Sequence, residues 1–418
     1  MGPTPEEISE IAKKIAYAKI VMLGESSHGT QEYYEWRRLI SQELISKHGF
    51  NFISVEGDWP ACSEVNHFVT SSRNGNSRYA LKDFRRWPTW MWANTAVEDL
   101  VTWMKEYNLT EGLETPAGFY GLDVYSLFES IDQVLKILSK VDPAMVIEAR
   151  KQYLCFDRFQ KNEKKYAKSL YFSDSCEEEV LRVLQILLRA RGPDWERDRL
   201  FDAQQNARIV KNAEDYYRAM IRGNDDSWNI RDAHMMETLN LLLEKYGSHS
   251  KGIVWAHNTH IGDYRATTMV DDGQINIGGL AREEWGEDKV ALLGFGTYEG
   301  TVIASRAWDG PTEVMPVPEG QPETYEALFH SLCLESGNDH IFQWLQDQRH
   351  DKTFAERRGH RAIGVVYNPA HERYGNYVPT SLANRYDGFV FIDRTNALTP
   401  LAQKEDRKEF PEAWPGGF

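Results

Sequence analysis

Short, continuous apolar runs recur along the chain and predict β-strands. Most of these runs are apolar at successive rather than alternate positions, a pattern typical of strands buried on both faces of a sheet. We predict strands at seven segments, which are 19–24, 51–56, 119–124, 252–257, 289–296, 362–367 and 388–393.

Helical patterns separate these apolar runs. Segments 31–48, 96–107 and 323–348 are predicted to be helices, and the first of them ends at His48-Gly49, a pair suited to a helix C-terminus. Strands that alternate with helices usually form a parallel sheet. The pattern therefore predicts an α/β fold with a mostly parallel central sheet flanked by helices.

The stretch 126–247 has a different character, because it contains helical patterns and no strand-like run. Its predicted helices are 127–140, 143–159, 177–191, 193–222 and 228–246. We therefore predict a long all-helical insertion at 126–247. It would separate a first part of the α/β core, 1–125, from a second part, 248–418.

Composition narrows the classes of function. The 418-residue chain carries a net charge of −15 and has no basic patch, so we expect no nucleic-acid partner. It has no apolar run of the length that crosses a bilayer and no signal-peptide pattern at the N-terminus, so we expect a cytoplasmic protein without a membrane partner. The scattered cysteines are expected to be free thiols rather than a disulfide framework or a zinc site; they are Cys62, Cys155, Cys176 and Cys333.

Ionisable side chains occur where the predicted strands end. Glu25 and His28 follow the first strand in Gly24-Glu-Ser-Ser-His-Gly29, Glu56 ends the second, and His257 and His260 follow the fourth. The carboxyl ends of parallel strands share one edge of a sheet, so these five side chains should meet in one crevice. Buried ionisable groups are costly unless they are paired, and such clusters tend to be functional sites.

Two chemistries fit this candidate catalytic set. In the first, His28 is a general base that takes a proton from water, a carboxylate orients it, and His257 or His260 stabilises the oxyanion or protonates the leaving group. In the second, the same carboxylates and imidazoles hold a divalent metal ion that activates the water. A serine nucleophile is less favoured, because the Gly-x-Ser-x-Gly pattern is absent.

Other polar and aromatic residues are candidates for substrate binding. The aromatic segment 84–92 either packs in the core or forms the wall of a pocket for a large apolar ligand. Arginines near the crevice could bind an anionic group or pair with its carboxylates. The candidate substrate-binding residues are Arg37, Arg85, Trp87, Trp90, Trp92, Asp123, Tyr125 and Tyr298.

Several of these motifs together resemble the erythromycin esterase family, which includes proteins labelled as succinoglycan biosynthesis proteins. They are Gly24-Glu-Ser-Ser-His-Gly-Thr30, Glu32-Tyr-Tyr-Glu-Trp-Arg37, Val55-Glu-Gly-Asp-Trp59 and Trp255-Ala-His-Asn-Thr-His260. The segments 87–92 and 118–123 are also similar to that family. The resemblance extends over roughly residues 15–400.

The resemblance implies a metal-independent hydrolase that opens a macrolide lactone with activated water, an activity linked to antibiotic resistance. By likeness, His28 would be the general base, the other four catalytic candidates would complete the site, and Arg37 would match an arginine of the family motif. We therefore expect an ester or lactone hydrolase with no cofactor, acting on a small-molecule substrate that is a large ester or lactone. The alternatives are a metal-dependent hydrolase, an acyl-transfer or cyclisation enzyme, and a small-molecule binder.

Overall fold

The computed structural model describes residues 2–72, 75–110, 113, 115–172, 175–190, 197–222, 226–403, 405 and 409–411. Its strands are β1 (Ile20–Leu23), β2 (Phe52–Asp58), β3 (Gly118–Asp123), β4 (Gly252–Trp255), β5 (Val290–Ser305), β6 (Thr312–Val317), β7 (His340–Trp344), β8 (Arg358–Arg361), β9 (Tyr377–Thr380) and β10 (Gly388–Thr395).

The helices before the second half of the sheet are α1 (Pro5–Ile15), α2 (Gln31–His48), α3 (Trp59–Thr70), α4 (Ser77–Ala80), α5 (Thr95–Asn108), α6 (Leu127–Val141), α7 (Pro143–Tyr153), α8 (Glu163–Ser169), α9 (Glu177–Arg189), α10 (Arg197–Ile221) and α11 (Asp226–Tyr246). Those that follow are α12 (Asn258–Ile261), α13 (Ile277–Trp285), α14 (Tyr325–Ser336), α15 (Lys352–Ala355), α16 (Glu372–Gly375) and α17 (Leu382–Arg385).

The main sheet has the strand order β3-β2-β4-β1-β5-β10-β7, and β6 pairs with β5. Neighbours from β3 to β10 run parallel, whereas β7 and β6 pair antiparallel with β10 and β5. A separate two-stranded sheet joins β8 and β9. The predicted α/β class with a mostly parallel sheet is confirmed.

Apolar side chains of each central strand alternate between two cores. In β1, Val21 and Leu23 pack with residues of α1, α2 and α5. Ile20 and Met22 of the same strand pack on the opposite face with residues of α11, α13 and α14. Burial on both faces explains why these strands are continuous apolar runs in the sequence.

The described part of 126–247 is helical, which confirms the all-helical insertion. Helices α6 to α10 enclose a separate apolar cluster that includes Leu127, Val183 and Tyr217. The predicted helices 177–191 and 193–222 correspond to α9 and α10, and residues 191–196 lie outside the described residues. The division of the chain into three parts stays a prediction.

Two predicted elements are wrong. Residues 362–367 were expected to form a strand, but the segment makes isolated β-bridges instead, such as those of Ile363 with Ser27 and Val366 with Ser305. The predicted helix 323–348 ends at Gly337, which adopts φ 71°, and the chain then forms β7 beside β10. A left-handed glycine of this kind terminates a helix.

The expectation of free thiols is wrong for Cys155 and Cys176, which form a disulfide with their Cα atoms 6.1 Å apart. The pair is 21 residues apart in sequence and meets only because the insertion folds back on itself. Cys62 and Cys333 are buried and lie outside this disulfide. Within the described residues, no helix has both the length and the apolar character that a membrane span requires.

Candidate active site

Three adjacent strands bring the predicted catalytic residues together at their carboxyl ends. Trp255 at the end of β4 pairs with Leu23 on one side and Val55 on the other. The residues that follow these positions carry all five predicted side chains. Each of the five is buried, with an exposed fraction of 0%; they are Glu25, His28, Glu56, His257 and His260.

Two glycines allow the loop after β1 to approach its neighbours closely. A Cβ atom added at Gly24 would lie 2.1 Å from Asn258 Oδ1, and one added at Gly29 would lie 1.9 Å from the Ile303 carbonyl oxygen. Neither distance is compatible with a side chain. Glycine at both ends of the Gly-Glu-Ser-Ser-His-Gly segment is therefore required by packing.

Glu25 fixes the orientation of His28. Its Oε1 lies 3.0 Å from His28 Nδ1, and its Oε2 accepts a hydrogen bond of 2.7 Å from Arg37 Nη2. With the Nδ1 proton donated to Glu25, the lone pair of the neutral ring lies on Nε2. His28 Nε2 is buried and has no hydrogen-bond partner among the described residues.

His257 presents the complementary arrangement beside His28. Its Nδ1 accepts the backbone N–H of Thr259 at 3.3 Å and lies 2.8 Å from the Thr259 hydroxyl. The ring proton of neutral His257 is thus on Nε2. The ring centroids of His28 and His257 are 4.9 Å apart. Burial, together with nearby His28, holds the pKa of His257 well below its usual value, so His257 is neutral.

Glu56 ties the loop after β4 to its own strand. One carboxylate oxygen accepts the backbone N–H of His257 at 2.9 Å, and the other accepts Arg231 Nη2 at 2.6 Å. Burial alone would raise the pKa of Glu56, but the charges of His260 and Arg231 hold it well below its usual value. Glu56 is therefore a carboxylate and not a proton donor.

His260 lies among several charged groups. Its Nδ1 contacts both Asp232 oxygens at 3.0 and 2.9 Å, and its Nε2 lies 2.9 Å from Arg231 Nη1 and 3.4 Å from Glu56 Oε1. The ring stacks on Trp228, with centroids 4.5 Å apart and planes at 8°. Burial lowers the pKa of His260, but the carboxylates of Asp232 and Glu56 outweigh it and raise the pKa to about 10.

Arg231 and Asp232 are site residues that the sequence did not reveal. Both come from α11, the last helix of the insertion, and both are buried. An adjacent arginine and aspartate within a helix are ordinary on a solvated surface, so no motif distinguished them. Their role is visible only once α11 is packed against the ends of β2 and β3.

The described side chains offer no ready metal site. No group of three or more His, Cys, Asp or Glu in the described ranges is arranged to hold a metal ion. Both candidate carboxylates instead form ion pairs with arginines: Arg37 binds Glu25, and Arg231 binds Glu56. This donor set does not fit the metal-centred alternative.

The three candidate tryptophans belong to the apolar core on one face of the sheet. Trp87, Trp90 and Trp92 are all at most 3% exposed. Trp92 donates from Nε1 to the Glu56 carbonyl at 2.9 Å, and Trp87 donates to the Gly310 carbonyl. In this structure the three tryptophans therefore support the core beside the Glu56 strand, whereas Phe84, Arg85 and Arg86 of the same segment line a cavity.

The remaining substrate-binding candidates fall into two groups. Arg37, Asp123 and Tyr125 are buried within the charged network, where Asp123 binds Arg231 through both oxygens. Arg85 and Tyr298 lie nearer the surface, and their side chains contact Asp83 and Glu319, respectively. The structure therefore places Arg37, Asp123 and Tyr125 among buried charged side chains, whereas Arg85 lines a cavity at the end of β2.

A cavity of about 590 Å³ opens beside the end of β2. Its lining includes Asp58, Arg86 and Ser126, whereas His28 and His257 are not among its described lining residues. Tyr125 lies between this cavity and the buried histidines. Its ring centroid is 5.8 Å from Arg86 Cζ and 5.1 Å from Arg231 Cζ.

Arg86 forms a buried ion cluster at this cavity. It donates to Asp58 at 2.7 Å, to Glu163 at 3.0 Å and to the Phe410 carbonyl at 2.7 Å, and it lies 3.8 Å from Glu129. Burial outweighs the attraction of Arg86 and raises the pKa of Asp58 to about 6 and that of Glu163 to about 7.

This cluster predicts a pH-dependent contribution to stability. Between pH 8 and about 6, folded Glu163 takes up a proton that the unfolded chain, with its usual pKa of 4.5, does not. The folded state is therefore stabilised through Glu163 as the pH falls. We expect Glu163→Gln to lack this gain when melting temperatures at the two pH values are compared with those of the unmodified protein. Identical pH dependence in the two proteins would contradict the prediction.

The sequence profile of the erythromycin esterase family matches residues 45–395. The chain belongs to the erythromycin esterase family. It is 22% identical to a Bacillus subtilis (strain 168) protein named "Putative hydrolase YbfO", over 94% of this chain and 87% of that protein. The family and this relative support a hydrolase.

Solved structures show the same fold. A succinoglycan biosynthesis protein superposes with a TM-score of 0.76 and 19% identity, covering 95% of this chain and 93% of that one. A mutant of the erythromycin esterase EreC in its open conformation superposes with a TM-score of 0.66 and 17% identity, covering 96% and 95% of the two chains.

Proposed function

We propose that this member of the erythromycin esterase family hydrolyses a carboxylic ester or lactone with water activated by His28. The single observation that carries the proposal is the opposed arrangement of two buried imidazoles. His28 has an unpartnered Nε2 lone pair, and the neutral ring of His257, 4.9 Å away between centroids, carries its proton on Nε2. His28 can therefore accept a proton, and His257 can donate a hydrogen bond.

The reaction follows from these roles. His28 Nε2 takes a proton from a water molecule as the water oxygen bonds to the carbonyl carbon of the substrate. The His257 N–H stabilises the negative charge that develops on the carbonyl oxygen. When the carbon–oxygen bond to the leaving group breaks, His28 returns the proton to the departing alkoxide, and an acid and an alcohol result.

Water is favoured over a serine nucleophile in this site. Ser26 Oγ is hydrogen-bonded to the Tyr33 hydroxyl at 2.7 Å, and Ser27 is hydrogen-bonded to Thr30. Both serine hydroxyls are therefore engaged away from His28. A nucleophilic serine needs its base within hydrogen-bond reach, as in established triads.

A large ester or macrolactone suits the cavity that lies next to the site. The cavity beside β2, at about 590 Å³, falls within the range for ligands of drug size. The name of the structurally similar EreC adds support for a macrolactone, since that protein is an erythromycin esterase. The substrate would reach His28 from this side after local opening, because the reacting nitrogen is buried.

Mass spectrometry of a panel of esters, lactones and macrolides incubated with the protein tests this proposal. We expect one class of compound to gain the mass of one water molecule, and His28→Asn to slow that gain by roughly 10²–10⁴-fold. Products of acyl transfer or cyclisation would lack the added water, and a binder would return its ligand unchanged. Either result would overturn hydrolysis.

Chelation provides a second test of the mechanism. Because arginines occupy the Glu25 and Glu56 carboxylates, we expect dialysis against EDTA to leave the hydrolysis rate unchanged. Metal analysis of the same sample serves as the control. A rate that falls on chelation and returns with added zinc or manganese would contradict the water-only mechanism.

A further inference from the structure

We propose that Asp232, supplied by the helical insertion, is a positioning residue that holds the catalytic His257 loop in place through His260, Arg231 and Glu56. The inference rests on the proposed function and assigns a part of the catalytic machinery to a helix outside the α/β core.

Asp232 is placed to fix the His260 ring. Its two oxygens contact His260 Nδ1 at 3.0 and 2.9 Å, and Oδ1 also accepts the backbone N–H of Ile277, the first residue of α13, at 2.9 Å. Trp228, one turn earlier on α11, covers the flat face of the ring. The carboxylate is fully buried, so water does not weaken these contacts.

The contact continues from His260 to the catalytic loop. His260 Nε2 lies 3.4 Å from Glu56 Oε1, and Arg231 Nη2 donates to that same oxygen at 2.6 Å. The other Glu56 oxygen accepts the His257 backbone N–H at 2.9 Å. A shift of Glu56 would therefore move the ring that faces His28, and errors of about 1 Å can cost much of a rate enhancement.

The negative charge of Asp232 also affects the protonation of the His260 ring. Arg231 Nη1 favours an unprotonated His260 Nε2, but three buried carboxylates contact the Arg231–His260 pair: Glu56 and Asp123 bind Arg231, and Asp232 contacts His260. A proton on His260 reduces this excess of negative charge. Removing the charge of Asp232 would weaken the hold of His260 on Glu56.

Kinetics of Asp232→Asn against the ester found in the substrate panel provide the first test. We expect kcat to fall roughly 10–100-fold with KM little changed, the usual effect of removing a group that orients a functional one. Asp232→Glu, which keeps the charge, should recover part of kcat. Wild-type kcat in Asp232→Asn would overturn the proposal.

Asp393→Asn is the matched control. Asp393 contacts His330 Nδ1 at 2.7 Å, and the His330 ring stacks on Tyr298 with centroids 3.8 Å apart, which reproduces the Asp232–His260–Trp228 geometry at a partly exposed position. We expect kcat of this variant to stay within about twofold of the unmodified protein, since partly exposed ion pairs contribute little energy. An equal loss in both variants would overturn the specific role of Asp232.

Nitrogen NMR of histidine-labelled protein separates this proposal from the proposed function. It needs no substrate. In the unmodified protein we expect His257 to show the Nε2–H tautomer and His260 to carry a proton on Nδ1, which faces Asp232. In Asp232→Asn both signals should move, and in Asp393→Asn neither should. If the protein hydrolyses no ester, the proposed function is wrong, but the NMR measurement still tests the positioning role of Asp232. Unchanged His257 and His260 signals in Asp232→Asn would overturn that role. If Asp232→Asn does not fold, Asp232→Glu is used, and the His257 signal is expected to broaden or shift.

Discussion

Replacing His28 by asparagine is expected to lower kcat by roughly 10²–10⁴-fold, the usual contribution of a general base. Asparagine can keep one hydrogen bond to Glu25 but has no lone pair of comparable basicity at the position of Nε2. His257, proposed to stabilise the oxyanion, and the arginine–carboxylate pairs would remain. Some residual catalysis and near-normal substrate binding are therefore expected.

Steady-state hydrolysis of the ester identified by mass spectrometry measures this effect, with circular dichroism as a check on folding. His330→Asn is the matched control, because His330 also pairs through Nδ1 with a carboxylate, at 2.7 Å from Asp393, but the pair is partly exposed. We expect the control to keep its rate. A His28→Asn variant that is folded and retains full kcat would remove His28 from the mechanism.

His257 and His260 show how one short loop holds two imidazoles in different charge states. Burial near His28, with Nδ1 facing the N–H of Thr259, keeps His257 neutral. Three residues later, Asp232 and Glu56 favour the charged form of His260. The first can donate a hydrogen bond to a developing oxyanion without loss of charge balance, and the second compensates buried carboxylates.

The sequence was sufficient for the parts of the site that follow strand ends. Glu25, His28, Glu56 and His257 each stand at or just after the end of an apolar run, and parallel strands place such positions side by side. The central strands could be predicted because burial on both faces makes their sequences uniformly apolar. Edge elements such as β6 and β7 could not, because half-buried strands leave a weaker pattern.

Contacts between distant segments account for what the sequence did not reveal. Arg231 and Asp232 come to lie in the candidate site only when α11 packs against strand ends more than 100 residues earlier, as the Arg231–Asp123 pair shows. Cys155 and Cys176 are likewise joined by tertiary packing. The tryptophans near residue 90 are apolar in either role, so composition could not separate a core position from a pocket wall.

Replacing Arg231 by methionine is expected to give the largest loss of stability. The side chain is 3% exposed and binds Asp123 through two hydrogen bonds, of 3.0 and 2.7 Å, besides Glu56. Its removal takes the guanidinium from both buried carboxylates, and Glu56 keeps its contacts with His260 and the His257 backbone N–H. Breaking one partner from such a cluster costs about 3–5 kcal/mol, because the remaining charges stay desolvated.

The free energy of unfolding, from urea titration, measures this loss, and two further variants locate its origin. Arg265→Met is the exposed match, since Arg265 binds Asp263 with the same two-bond geometry at 2.9 and 2.6 Å but has a side chain 42% exposed; its loss should be about 1 kcal/mol or less. Combining Arg231→Met with Asp123→Asn removes the buried charge of Asp123, so part of the lost free energy of unfolding should be recovered. Equal losses for Arg231→Met and Arg265→Met would contradict the prediction that the buried network depends on the Arg231 guanidinium.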